Sequence, residues 1–122
     1  MTVVLPELPN PEIGETGPYC LIAKHRAKPG RADAYEARML ADLEQTRADP
    51  GCLQFHVHRG RSDRSQFVIY EVWASMKALR EHFEEPFVQR FVEDSAEYIE
   101  GDMEVEWLVM SGEYAPGRGR PT

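Results

Sequence analysis

Residues 52–73 read CLQFHVHRGRSDRSQFVIYEVW, and the pattern along them decides the architecture. In 52–59 Leu53, Phe55 and Val57 alternate with Gln54, His56 and His58, the period of a strand with one apolar and one polar face. In 67–73, FVIYEVW, apolar and aromatic residues fall on both faces, as in a strand buried on either side. The polar run GRSDRS between them is built of turn formers, so the two strands make a hairpin.

Working toward the N-terminus, Asp49-Pro50-Gly51 ends a helix, because the residue before a proline is pushed out of helical geometry and glycine permits the reversal. That helix is expected over 31–47, where Tyr35, Met39 and Leu43 recur every four residues with Ala32 and Leu40 alongside. Asp33 in its first turn suits the helix dipole. Before it, residues 19–27 (YCLIAKHRA) read as a strand closed by the turn Lys28-Pro29-Gly30.

Toward the C-terminus, Ser75 is placed to cap a helix through Phe83 that turns Ala78, Leu79 and Phe83 inward. Pro86 opens a further helix, with Phe87, Phe91 and Tyr98 in one stripe beside Val88, Val92 and Ile99, expected to run to Gly101. A last strand is expected over 103–110, with Glu104 and Glu106 on its polar face. The order is βαββααβ, that of an α+β, ferredoxin-like fold in which helices cover one face of an antiparallel sheet. The apolar residues on the second face of 67–73 then need a cover, and a second copy packed sheet to sheet supplies it. In this strand order 19–27 is central and 52–59 lies at an edge, so Cys20 and Cys52 do not meet and stay free thiols.

Composition bounds the partners. The chain has 122 residues and a net charge of −7, with no run rich in Lys or Arg, which argues against nucleic acid and against an anionic membrane surface. No apolar stretch approaches the roughly 20 residues of a membrane span, and the start lacks the basic residues and apolar run of a signal peptide. Two cysteines fit a reducing compartment, so a cytoplasmic location is expected. Prolines and glycines over 1–18 and in 114–122 mark extended arms, leaving 19–113 as a single domain.

PGCLQFHVHR at 50–59, FVIYEVWASMKALREHFEEPFVQRF at 67–91, the turn Lys28-Pro29-Gly30 and the run Tyr70-Glu71-x-Trp73 together resemble the antibiotic biosynthesis monooxygenase domain family. The resemblance covers essentially the whole of 19–113. It implies a dimeric α+β barrel, that is a homodimer, and a small aromatic, quinol or polyketide-like substrate oxygenated by molecular oxygen without metal or flavin cofactor. The family's haem-degrading branch places an Asn, a Trp and a His where Ala23, His82 and Phe91 stand here, so that branch is not implied. Phe87 stands where many relatives carry a histidine.

Oxygenation without a cofactor makes the substrate the electron donor, which leaves the protein to supply a base, an aromatic wall and a hydrogen-bond donor for a peroxide. His56 and His58 share a strand face and rank first among candidate bases. The plain alternative is a wet strand face, and a metal reading would add His25 or Glu71 as third ligand. Glu71 is a carboxylate in an apolar run, either paired with a basic residue across the sheet or catalytic. Trp73, on its face, is a wall with an indole donor or part of the core. His82, Phe87, Phe91 and His25 are the candidate substrate-binding residues. Trp107 reads as packing or dimer contact. The alternative to an enzyme is a non-catalytic small-molecule binding or stress-response protein on the same barrel. Strand register decides which ionisable group reaches the cleft between helices and sheet.

Overall fold

The structure, a computed structural model, describes residues 18–112 and 114. The arms expected at 1–18 and 114–122 lie, apart from Pro18 and Tyr114, outside the described residues. The elements are β1 (Tyr19–Ala27), α1 (Ala32–Ala41), α2 (Leu43–Arg47), β2 (Cys52–Arg59), β3 (Gln66–Trp73), α3 (Met76–Glu84), α4 (Pro86–Ser95) and β4 (Ile99–Val109). They form one antiparallel sheet of order β2-β3-β1-β4, the ferredoxin-like arrangement. Here β3 separates β1 from β2, and both cysteines are free.

Local chemistry accounts for the element ends. The Ser75 hydroxyl accepts from the Ala78 N–H at 3.1 Å and caps α3. The turn after β1 is closed by Gly30 at φ 78°, a left-handed conformation that glycine takes without strain, and Lys28 ties it to the end of α4 through Nζ to the Ala96 carbonyl at 2.9 Å. Gly51 has no side chain because a Cβ there would collide with that of Ala78, so β2 starts hard against α3.

Three expectations are corrected. The helix expected over 31–47 is two pieces, broken at Asp42, whose φ of −102° and ψ of 1° leave the helical region. Arg38 Nη1 holds the Asp42 carboxylate at 2.8 Å in this kink. The helix opened by Pro86 ends at Ser95 rather than Gly101, so Tyr98 and Ile99 belong to the approach and start of β4. Gly101, at φ 66°, lies inside β4 where the register slips: Lys24 pairs with Glu104 but Arg26 with Glu100. The alternation expected from Leu53 through Phe55 and Val57 is interrupted at Leu53, because a bulge between Cys52 and Gln54 shifts the register there.

The core lies between the helices and one sheet face. Leu21, Phe67, Trp73, Leu79 and Tyr35 are buried there, with Ile99 closing one end. No helix among the described residues is long and apolar enough to cross a membrane.

Candidate active site

Strand pairing lines up residues across the whole sheet. Phe55 lies beside Glu71, Glu71 beside Leu21 and Leu21 beside Trp107; the next rung on the same face is Val57, Ile69, Ala23, Val105. Both rungs face the helices, and every member lines a cavity of about 80 Å³ roofed by His82, Phe83, Phe87, Val88, Phe91 and Val92 from α3 and α4. One ordered water needs about 10–15 Å³ of such space, so there is room for a small planar molecule. Its wall is almost wholly apolar, with few convergent polar groups, as small-molecule sites generally are.

Two ionisable groups on that wall differ from the rest in burial. Glu71 is 5% exposed, and its Oε1 accepts from the Trp73 indole N–H at 2.9 Å. The basic partner expected across the sheet is absent: among the described residues no Lys or Arg pairs with Glu71. Burial raises its carboxyl from the ordinary 4.5 to about 7, and the indole hydrogen bond restrains the rise. A carboxyl poised near neutrality in a cavity is suited to moving protons at physiological pH. Trp73 itself is fully buried behind Glu71 and does not line the cavity. It acts through the N–H that holds one carboxyl oxygen and leaves the other for the cavity.

His82, also 5% exposed, is fixed by two contacts. Its ring lies 4.5 Å from that of Trp73, and its Nδ1 meets Asp49 Oδ2 at 2.9 Å. Burial lowers its affinity for a proton and the Asp49 contacts oppose this, so the imidazole is neutral near pH 7, with Nδ1–H directed at the carboxylate. Among the described residues no group bonds Nε2, which is therefore free to meet a molecule in the cavity.

The other expected site residues are distributed by strand parity and packing. His56 and His58 lie in the rungs with Tyr70, Ile22 and Glu106, and with Val68, Lys24 and Glu104, on the sheet face away from the helices. They do not reach the cavity. There Arg47 approaches His56 Nδ1 at 3.4 Å, and His58 Nδ1 lies 3.2 Å from the Val68 carbonyl. The same parity puts Glu71 and His25 on the opposite face, so neither can complete a metal site with the two strand histidines. His25 is buried beside Tyr35, with Nδ1 and the Tyr35 hydroxyl hydrogen-bonded at 2.6 Å, and it does not line the cavity. Burial depresses its pKa to about 4 and keeps it neutral. Phe87 and Phe91 line the cavity, as does Trp107, which the sequence assigned to packing or dimer contact. Asp49 had drawn notice only as a helix stop, since its partnership with His82 spans 33 positions of chain and leaves no local pattern.

Comparison with known proteins agrees with this fold. The family model described as antibiotic biosynthesis monooxygenase matches residues 18–94. The crystal structure of PA3566 from Pseudomonas aeruginosa is similar over 81% of this chain and 100% of that one, with 30% identity and a TM-score of 0.74. Rv0793 from Mycobacterium tuberculosis shares the fold at a TM-score of 0.75 and 24% identity, over 81% of this chain and 100% of that one. Protein sll1783 of Synechocystis is 26% identical over 104 residues, covering 81% of this chain and 71% of its own.

Proposed function

The chain belongs to the antibiotic biosynthesis monooxygenase family, and on that premise we propose that it oxygenates a small aromatic, quinol or polyketide-like molecule held between α3, α4 and the sheet, with the substrate itself as electron donor. The observation that carries the reading is a buried carboxyl, Glu71, poised near pH 7 on the wall of an aromatic cavity. A ring with an acidic methylene, such as an anthrone, lies between Phe87 and Phe91 and the sheet. The Glu71 carboxylate removes one proton from the methylene. The resulting carbanion gives electrons to dioxygen and forms a C–O bond. The peroxide takes a proton back from Glu71, its O–H donating to the bare Nε2 of His82, and loss of water, which removes the second methylene hydrogen and breaks the O–O bond, leaves a carbonyl. One oxygen atom ends in the product and the other in water, so no external reductant enters. The glutamate is the general base, the histidine orients the substrate, and Trp73 is a positioning residue.

Oxygen electrode measurements with a panel of anthrones and quinols test this. The expected result is consumption of one dioxygen per carbonyl formed; absence of turnover across the panel would favour the binding-protein alternative.

A homodimer is part of the proposal. The sheet face away from the helices carries Ile22, Val68, Tyr70 and Leu108 between its polar groups, and Leu108 is 39% exposed. A second copy on that face removes this apolar area from water. Light scattering at micromolar concentration should give twice the chain mass, and the chain mass alone would contradict it.

A further inference from the structure

Away from the proposed catalytic carboxyl, the structure assigns Asp49, His82 and Glu85 to a binding site for one first-row divalent transition ion, of the Zn2+ type, at the mouth of a second cleft. The ligand atoms of the three residues lie within 4.8 Å of one another. They come from two elements: His82 and Glu85 are one turn apart at the end of α3, and Asp49 lies in the turn that leads into β2. Two ligands about 2.1 Å from a zinc ion stand about 3–3.5 Å apart, so small side-chain rotations bring all three onto one ion.

Three independent features favour a cation over an ordinary surface cluster. First, the nitrogen ligand is preorganised. The imidazole is 5% exposed, packed against the Trp73 ring, with Nδ1 turned toward the carboxylates; a held imidazole presents its nitrogen to an ion without further ordering. Second, the two carboxyls face each other without a compensating charge. Among the described residues no Lys or Arg pairs with Asp49 or Glu85, and Lys77, which lines the same cleft, is engaged by Glu81 at 2.6 Å. Third, the cleft opens on all three residues and holds about 230 Å³, ample for waters to complete the coordination. His82 is shared by this cleft and the inner cavity, so an ion on Nδ1 would replace the Asp49 hydrogen bond while leaving Nε2 on the cavity side. One imidazole and two carboxylates suit Zn2+ and Mn2+ better than Mg2+ or Ca2+, which prefer all-oxygen sets.

The test uses the full chain, stripped with a chelator, and does not depend on turnover. Calorimetric titration with ZnCl2 should give one ion per chain. Glu85→Gln, a half-exposed change whose fold is checked by circular dichroism, and Asp49→Asn should each weaken binding by at least about tenfold, since even outer partners of metal ligands are worth that much. MnCl2 should broaden the amide resonances of Asp49, Gly51 and residues 82–85 before those of residues 56–59 at the far end of β2. Absence of heat and broadening at millimolar ion overturns the site. So does binding that survives both substitutions, or that is lost instead in His56→Ala.

Discussion

Glu71→Gln should lower turnover by about a hundredfold to ten-thousandfold, the usual worth of a positioned general base, while leaving the fold intact. Glutamine keeps the length of the side chain and an oxygen to accept the Trp73 N–H, so the cavity retains its shape and loses only the group that exchanges protons. The wild-type kcat/KM should rise as pH passes upward through about 7, because the carboxylate is the working form. Stability runs the other way. In the unfolded chain Glu71 ionises near its ordinary value of 4.5, whereas the folded chain holds the proton until about 7. The native state therefore binds more protons across that interval, and stability falls as pH rises from about 4.5 to 7 and is level above. A rise of this size corresponds to about 3 kcal/mol. Urea unfolding midpoints measured from pH 4.5 to 8 should show this decline in the wild type and a flatter profile in Glu71→Gln, which is the more stable of the two at pH 8. A variant that keeps full turnover, or wild-type midpoints that rise over this range, would remove Glu71 from the proposed role.

Trp73→Ala should destabilise the domain by about 3–5 kcal/mol, the range for deleting a large buried aromatic and leaving a cavity. The indole is fully buried, its ring packs against His82, and β3 holds it at the meeting point of β1 and β2, where Trp73 pairs with both Tyr19 and Cys52. Against a typical stability of about 5–15 kcal/mol, that loss leaves a substantial unfolded population on mild heating. Thermal melting should fall by more than about 10 °C; a fall of only a degree or two would mean that the indole is not part of the core. Trp73→Phe separates packing from hydrogen bonding. It keeps an aromatic ring but removes the only side-chain donor to Glu71 among the described residues. Since that hydrogen bond restrains the carboxyl, its loss should move the pH profile of turnover to higher pH, with a smaller stability cost than alanine.

The sites most readily legible in the sequence were those with local patterns. His56 and His58 stood out because alternation on a strand is visible over a few residues, but alternation gives only relative faces. Which face meets the helices depends on the registers that join Phe55, Glu71, Leu21 and Trp107 into one rung. Glu71 stood out as a carboxylate in an apolar run; that its partner would be Trp73, two positions along the same strand, followed only from its complete burial. Asp49 and His82 carried no shared signal, since a turn residue and a helix residue are brought together by the packing of α3 against the start of β2.

The periodicities, the Pro and Gly stops and the Ser75 cap determined by themselves the element order and the ferredoxin-like class, because each is a local preference of a few consecutive residues. The kink at Asp42, the end of α4 at Ser95 and the register slip at Gly101 were decided by tertiary contacts that override such preferences. The same holds for the chemistry. The sequence offers Glu71, two tryptophans and four histidines as candidates, and only the folded chain, which buries Glu71 on the cavity wall and His25 away from it, separates them.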